Sequence, residues 1–403
     1  MEKNRSKGIQ WALRPMFTVN ALTGISPDDS SELRLAFHFC AYTLIMIFCV
    51  FLTWRMTYDY AFSEVTQDVS KLIKLIWPTF DLLAGGICTY VHIIKHSRVR
   101  RNFDDLAEFG AIFPNAFDVK QIRKTSVIQS ALCVYVAVVM AFLPLRAIRL
   151  FRGFSWTIAG SAFSQYFGVV HLEIGWQFST AVLLLQKCIC CLNFEIHSRI
   201  FPAKRFDGSE TVKQRSNAKW RHLSRMRKMQ LHLYQILRSV EDSYVVSNFL
   251  LGFYNLLRVS FVLYSTIDIK VFTPTGIPDT SIVFVGASWI ASDLVMLFLV
   301  VHSAEKLYAE SDKTGKLVSE MILKVKDHRI RRELHLFSLQ LLHTKFHFTA
   351  CGFFPLDFTL LTSMAAAVVT YLVILVQFQE SEKAVTKLSC NCSHNILTEN
   401  GTM

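Results

Sequence analysis

Seven long apolar runs, separated by charged segments, constrain the fold of this 403-residue chain more than any other feature. An α-helix needs about 20 apolar residues to cross the hydrocarbon core of a bilayer. Because 52% of the residues are hydrophobic and 33 are Phe, one soluble core could not enclose them all. The sequence therefore predicts an all-α membrane protein with seven transmembrane helices, at 35–56, 73–94, 127–148, 161–192, 254–272, 282–304 and 355–378.

The distribution of positive charge predicts how these helices are oriented. Most of the 43 Lys and Arg residues lie in four alternate segments, which are 1–34, 95–126, 193–253 and 305–354. Segments rich in Lys and Arg stay in the cytoplasm, so we expect a cytoplasmic N-terminus and an extracellular C-terminus. A receptor that couples to a G protein has the opposite orientation. Cytoplasmic loops facing anionic lipid account for the net charge of +12, which therefore predicts no nucleic-acid partner.

Two long amphipathic helices are predicted in the cytoplasmic segments, at about 220–250 and 316–348. Their apolar residues recur at intervals of three, four and seven, so each helix has one apolar face. Packing against each other and against copies in other subunits would cover these faces. Binding to the membrane surface is the alternative. We expect an intracellular helical assembly domain.

Enzyme chemistry is not predicted, because the sequence has no His-Glu-x-x-His pair, nucleophile elbow or phosphate-binding glycine loop. No cofactor and no metal site are expected. A cysteine cluster at the inner end of the fourth span suits packing or S-acylation better than metal binding. Three histidines are predicted to share the second cytoplasmic helix in a solvated or interfacial role. These two sets are Cys188, Cys190 and Cys191, and His335, His343 and His347.

The C-terminal tail carries two features that suit an extracellular position. Glycosylation sequons begin at Asn391 and Asn400. Cys390 and Cys392 would lie in an oxidising compartment, where they could form disulfides with a loop or with another chain. Their connectivity stays open.

The last apolar run contains polar residues at both ends of its final stretch. Thr370 and Tyr371 precede five aliphatic residues, and Gln377 and Phe378 follow them. A polar side chain such as that of Gln377 is costly against lipid, so it should face other helices or water. The final helix is therefore expected to line a wet space.

This pattern at 370–378 resembles the C-terminal signature of insect gustatory receptors at all of its positions. The stretch 348–357 and the following Thr359-Leu-Leu also look like the family's approach to its last helix. The resemblance implies a tastant-gated, non-selective cation channel in the plasma membrane of sensory dendrites. It also implies a tetramer of identical or related subunits around one pore. Gln377 and Phe378 match the family's gate positions, while Thr370 and Tyr371 are expected to contact neighbouring helices.

The resemblance divides the chain into functional segments. We expect a cytoplasmic N-terminal segment at 1–34, then transmembrane helices 1–4, which form the ligand-binding bundle, at 35–192. A cytoplasmic loop with a long helix follows at 193–253, and transmembrane helices 5 and 6 lie at 254–304. The remaining segments are a cytoplasmic helical anchor at 305–354, the pore helix at 355–378 and an extracellular tail at 379–403.

The resemblance also implies a ligand pocket in the extracellular half of each subunit's helical bundle. Aromatic rings mixed with carboxylates and amides suit a small polar or amphipathic compound, including sugars. The alternative is that the aromatic residues face lipid or core, and that the carboxylates pair with Lys74 or other basic groups. The candidates are Trp77, Asp81, Tyr166, His171, Glu173, Trp176, Gln177, Tyr264, Trp289 and Asp293.

One position narrows the ligand class. Family receptors for larger sugars tend to carry Glu directly after the Thr-Tyr pair, where this chain has Leu372. That difference favours a bitter-type or broadly tuned receptor, with a fructose-type receptor as the alternative. An odorant receptor subunit and a seven-helix transporter are the alternatives from other classes. For the transporter, no convincing internal repeat is found; Gly85-Gly86 is the only paired interruption of a span.

Overall fold

The computed structural model of the protein describes residues 2–23, 32–62, 69–113, 117–151, 156–200, 212–267 and 280–399. Within these ranges the chain is almost entirely helical, with one short two-stranded antiparallel sheet. In chain order the elements are α1 Glu2–Leu22, α2 Glu32–Phe62, α3 Val69–Ile112, α4 Val119–Phe151, α5 Trp156–Ile200, α6 Val212–Ile267, α7 Thr280–Lys324, α8 His328–His343, β1 Thr349–Ala350, β2 Phe354–Pro355 and α9 Phe358–Glu399.

The prediction of an all-α membrane protein is confirmed. The seven predicted spans fall in α2 to α7 and in α9, except that 355–357 precede α9 and 268–272 lie outside the described residues. A shorter apolar stretch, Cys40–Leu52, lies in α2. Five stretches are long and apolar enough to cross a membrane, namely Val119–Val139, Gln165–Ser198, Ser216–Tyr264, Ala287–Lys324 and Phe358–Phe378.

Helix α5 is the centre of the bundle, because it packs against α7, α3, α6, α4 and α2. From Gln165 to Leu185 nearly all of its side chains are buried. A helix enclosed in this way is expected to be apolar all round. The polar residues on α5 therefore need partners inside the protein or in a ligand.

Helix α1 is part of the bundle and packs against α4 and α3. Ile9, Leu13 and Met16 lie three or four residues apart and are buried, so they form one apolar stripe. The sequence predicted only a cytoplasmic segment over 1–34. The helix was missed because it contains Pro15 and many polar residues.

The cytoplasmic helix predicted at 316–348 is wrong in its extent. Helix α7 ends at Lys324, and the side chain of Asp327 accepts a hydrogen bond from the Arg329 N–H, which starts α8. His343 is the last residue of α8, so His347 does not share a helix with it. The helix predicted at 220–250 lies inside α6, which runs without a break into the fifth span.

A tight hairpin joins α8 to α9. Thr349 pairs with Pro355 and Ala350 with Phe354. The turn between the strands contains Gly352 at φ 76°, a left-handed conformation that glycine adopts without steric cost. This hairpin fixes the chain immediately before α9.

Candidate functional site

The predicted pocket residues on α5 separate into two groups on different faces of the helix. His171 lies beside Tyr254 of α6, whereas Glu173 and Gln177 lie beside α1 and α6. Tyr264 is fully buried in α6, and Trp176 is buried in α5. The side chains of Trp77 and Asp81 in α3 lie outside the described part of the structure.

The first group is built around Arg258 of α6, which is buried in the bundle. Its Nε lies 3.1 Å from Oδ2 of Asp293 in α7, and the two side chains are 2% and 3% exposed. The guanidinium carbon lies 3.0 Å from the ring centroid of Trp289 and 5.2 Å from that of Tyr254. Nη1 also donates to the hydroxyl of Tyr254. A buried ion pair stacked between two aromatic rings therefore occupies this part of the bundle. We call these four residues the Arg258 cluster.

Two residues of α5 complete the surroundings of the Arg258 cluster. The imidazole of His171 stacks on Tyr254, with ring centroids 4.8 Å apart and planes at 6°. Gly168 lies one turn away, and a Cβ there would lie 3.2 Å from Nη1 of Arg258 and 3.3 Å from the Tyr254 hydroxyl. The absence of a side chain at Gly168 therefore lets the guanidinium approach the backbone of α5.

The second group fastens the end of α1 to α5. The hydroxyl of Thr23 donates to Oε2 of Glu173 at 2.7 Å, and the hydroxyl of Tyr166 donates to the Thr23 carbonyl at 2.7 Å. The amide of Asn20, oriented with its nitrogen towards Glu173, donates to that carboxylate and accepts from the amide of Gln177. Glu173 thus binds Asn20 of α1 and Thr23, which directly follows α1, and these bonds satisfy a buried carboxylate.

Gln177 extends this group to α6, because the hydroxyl of Tyr244 donates to its Oε1 at 2.8 Å. Tyr244 also packs edge-on against Phe178, with ring centroids 5.4 Å apart. The ring centroid of Phe178 in turn lies 5.1 Å from that of Phe348, which precedes the hairpin. A continuous set of contacts therefore links α1, α5 and α6 to the chain that enters α9.

The predicted gate lies on a helix that the subunit scarcely covers. Of residues 358–378 in α9, only Leu360 is buried. The side chains of Thr370, Tyr371, Gln377 and Phe378 are all exposed, and that of Phe378 is 57% exposed. Within the subunit, α9 contacts mainly α6 and α7.

The start of α9 is held firmly to the rest of the subunit. Asp357 caps the helix by accepting from the Thr359 N–H at 2.9 Å, and Glu305 of α7 accepts from the Phe358 N–H at 3.1 Å. The Phe348 N–H donates to the hydroxyl of Tyr308 at 2.8 Å. These bonds join the hairpin and the first turn of α9 to α7.

The other predicted sites are distributed along the helices. Cys188 is buried in the core and Cys190 is exposed. Across the described residues, no group of three His, Cys, Asp or Glu side chains could hold a metal ion. Cys390, Asn391 and Cys392 fall within α9, but their side chains lie outside the described part of the structure. Asn400 lies outside the described residues.

A family model described as the 7tm chemosensory receptor matches residues 13–382 of this chain. The chain belongs to that family. The resemblance to insect gustatory receptors that the motif at 370–378 indicated is thereby confirmed. The family is one of membrane receptors, in agreement with the apolar helices of this receptor.

Sequence relatives of the receptor are gustatory receptors of Drosophila melanogaster. Gustatory receptor 28b is 38% identical over 85 residues, which is 21% of this chain and 18% of that protein. The gustatory receptor for sugar taste 43a is 37% identical over 103 residues, which is 26% of this chain and 24% of that protein. The matched stretches thus span about a quarter or less of these relatives.

The fold of the receptor is similar to solved structures of an insect olfactory receptor. The receptor OR5 from Machilis hrabei in complex with eugenol has a TM-score of 0.67 and 15% identity, covering 94% of this chain and 99% of that chain. The same receptor without that compound has a TM-score of 0.65 and 15% identity, covering 92% and 98%. The similarity at this identity concerns the fold.

Some residues of each polar group were predicted from the sequence, and their partners were not. Asp293 and Trp289 were candidates, but Arg258 and Tyr254 were not. Glu173 and Gln177 were candidates, but the partners in α1 were not. The signal available for Arg258 was a positive charge near the start of an apolar run, which requires a buried partner.

Proposed function

We propose that this receptor is a tastant-gated, non-selective cation channel whose subunits assemble as a tetramer. The proposal rests on the exposure of α9. Phe358–Phe378 has the highest mean hydropathy of the candidate spans and yet is almost wholly uncovered within the subunit. It also carries polar residues, so lipid alone is a poor environment for it. Copies of α9 around a water-filled axis would place the polar residues in water and the apolar residues against protein or lipid.

The gate in this proposal consists of Gln377 and Phe378. With the N-terminus in the cytoplasm, α9 runs outwards and these residues lie near its extracellular end. An aromatic ring at a constriction can close a pore by dewetting, and an amide can replace water around a passing cation. Both side chains are exposed within the subunit, as this role requires.

The ligand in this proposal binds the outer half of the helical bundle, beside the Arg258 cluster. It is a small organic compound, and Leu372 leaves a bitter-type or broadly tuned receptor and a fructose-type receptor as the two classes. Along the chain, the hairpin precedes α9 and so connects the bundle to the helix that carries the gate residues. Binding would act on the pore through the contacts of Phe178 with Phe348.

Assembly in this proposal uses the intracellular helices. One face of α8 packs on the subunit through Ile330, Leu334 and Phe337. The opposite side exposes Leu336, Leu339 and Leu342. An exposed apolar stripe of this kind suits contact with another subunit.

Whole-cell recording from cells that express only this chain tests the proposal. Tastants should evoke cation currents, and Gln377→Ala and Phe378→Ala should each change basal current or gating at unchanged surface expression. Val134→Ala in α4, an exposed residue far from α9 in sequence, should leave currents unchanged. Ligand uptake without current would contradict the channel. Unchanged currents in both gate variants would contradict the gate.

A further inference from the structure

We propose that Cys190, near the inner end of α5, is a site of S-acylation that takes a long-chain fatty acyl group, with Cys191 as a second acceptor. The inference depends neither on the channel proposal nor on the identity of a tastant. It concerns the cysteine cluster at 188–191, whose sequence suits both packing and acylation.

The three cysteines of this cluster differ in burial. Cys188 is 0% exposed and belongs to the core of the bundle. Cys190 is exposed, and Cys191 is partly exposed. Because successive residues of an α-helix are about 100° apart, Cys188 and Cys190 lie on nearly opposite sides of α5. Packing therefore accounts for Cys188, whereas the thiol of Cys190 is accessible from outside the subunit.

The neighbours of Cys190 on the exposed side of α5 suit a membrane boundary. Lys187 lies three residues before it and Phe194 four residues after it, so the three side chains share one face. Lys187 is exposed, and Phe194 is 70% exposed. An aromatic ring exposed to this extent gains free energy by contacting lipid, and a lysine can extend its ammonium group to anionic headgroups. This face of α5 is therefore suited to the level of the lipid headgroups.

The depth of Cys190 along α5 leads to the same boundary. The predicted fourth span ends at 192, and the segment 193–253 that follows is rich in Lys and Arg, which predicts a cytoplasmic position. With a rise of 1.5 Å per residue, Cys190 lies about 3 Å from the inner end of the span. Cysteines next to the membrane on this side are typical acceptors of reversible S-acylation.

Other roles of an exposed thiol fit Cys190 less well. The cytoplasm keeps thiols reduced, so a disulfide is not expected there. Metal binding requires several ligands around one ion, and Cys188 is turned away from Cys190. Across the described parts of the chain, no group of three His, Cys, Asp or Glu side chains could hold a metal ion.

The acyl donor in this proposal is a fatty acyl-coenzyme A. The thiolate of Cys190 attacks the carbonyl carbon of the donor's thioester. A bond forms between that carbon and the cysteine sulfur, and the bond from the carbon to the coenzyme A sulfur breaks. Coenzyme A leaves as a thiol, carrying the proton that Cys190 released, and no oxidant or reductant is needed. The acyl chain then enters the lipid beside Phe194 and ties the end of α5 to the bilayer.

Thioester exchange on the full-length receptor, purified from insect cells, tests the proposal. Free thiols are blocked, hydroxylamine cleaves thioesters, and a polyethylene glycol maleimide labels the thiols that are released. The wild-type protein should gain mass only after hydroxylamine treatment. The double variant Cys190→Ser, Cys191→Ser should lose this gain. No gain in the wild type, or an unchanged gain in the double variant, would overturn the inference.

Cys40→Ser and Cys351→Ser are the matched controls. Cys40 in α2 and Cys351 in the hairpin turn are the other exposed thiols among the described residues. Cys40 also lies near the inner end of a predicted span, so it tests whether an exposed thiol at this depth is sufficient. Both control variants should keep the full gain in mass. Loss of the gain in either control, together with its retention in the double variant at 190 and 191, would assign the acyl group elsewhere and overturn the inference.

Mass spectrometry of the wild-type receptor requires no variant and so does not depend on how variants fold. Trypsin cleaves after Lys187 and Arg199, which releases the peptide 188–199 with all three thiols. Fragment ions should place an acyl group on Cys190 or Cys191 and leave Cys188 free. An acyl group on Cys188, or three free thiols without hydroxylamine treatment, would overturn the inference. Three free thiols are also the result expected if another subunit, rather than lipid, covers Phe194.

Discussion

At the scale of single residues, Gly85 determines how closely α3 approaches α5. A Cβ at this position would overlap the Cβ of Phe167, which belongs to a buried residue and cannot swing away. We expect Gly85→Ala to lower the free energy of unfolding by about 1–3 kcal/mol, because the two helices must separate. Thermal unfolding in detergent, followed by size-exclusion chromatography, measures the effect.

Gly315→Ala in α7 is the matched control for Gly85→Ala. A Cβ at Gly315 would meet no atom within 4 Å. Because Ala is the better helix former, this change should be neutral or stabilising by up to about 1 kcal/mol. Equal destabilisation by both substitutions would mean that the contact with Phe167 is not the cause.

Tyr308 provides a second prediction at this scale. Its hydroxyl accepts the hydrogen bond of the buried Phe348 N–H at 2.8 Å. Tyr308→Phe removes that acceptor, and we expect a loss of about 1–3 kcal/mol in the free energy of unfolding. Tyr135→Phe, at an exposed position in α4, should have no measurable effect under the same thermal assay. A neutral Tyr308→Phe would show that water or another group replaces the hydroxyl.

Individual polar residues inside the apolar runs were predictable, but their partners were not. The cost of a buried carboxylate identified Glu173 and Asp293 from the sequence alone. Among the basic partners considered, Lys74 was named, whereas the ion pair of Asp293 is with Arg258. The partner of Glu173 is α1, which is distant in sequence. Such pairings depend on how helices are arranged in space, which apolar periodicity does not encode.

At the scale of elements, the junction between α7 and α8 depends on Asp327. Its carboxylate accepts from the Arg329 N–H at 2.8 Å and from the hydroxyl of Ser216 in α6. The Ser216 hydroxyl and the Arg329 N–H hold the pKa of Asp327 below its usual value, so the cap is ionised at neutral pH. Asp327→Ala should cost about 0.5–2 kcal/mol, whereas Asp327→Asn should retain most of the stability.

Circular dichroism during thermal unfolding of the purified receptor measures this difference. If Asn and Ala at position 327 are equally destabilising, the charge rather than the cap geometry would be responsible.

The break at this junction was not predicted from the sequence. The apolar stripe continues from Met321 through Val325 to Leu334, so helical periodicity alone suggested one unbroken helix.

At the scale of the whole molecule, the outer stripe of α8 should control assembly. Leu339 is 55% exposed in the subunit and lies between Leu336 and Leu342. In the proposed tetramer, Leu339→Glu buries a charge at a subunit contact, so we expect a shift towards smaller species without loss of folding. Size-exclusion chromatography with light scattering reports the mass of the assembly.

Ile112→Glu, at an exposed position near the end of α3, is the control for Leu339→Glu. It introduces the same charge away from α8 and should leave the assembly intact. An unchanged mass for Leu339→Glu would place the subunit contacts elsewhere.

The overall architecture was well predicted, because membrane spans follow from length and hydropathy. The course of α1 and the extension of α9 to Glu399 were not predicted, because neither segment has a strong apolar pattern.

The hydrogen bonds that hold the first turn of α9 to α7 allow the helix to act as a lever arm about that end. With a rise of 1.5 Å per residue, the distance from Phe358 to Phe378 is about 30 Å. A tilt of about 6° at the hairpin would therefore move the far end by about 3 Å, which is comparable to the diameter of a water molecule. In the proposed channel, a displacement of a few tenths of an ångström at the bonds of Phe358 and Phe348 would thus change the aperture enough to admit or exclude an ion.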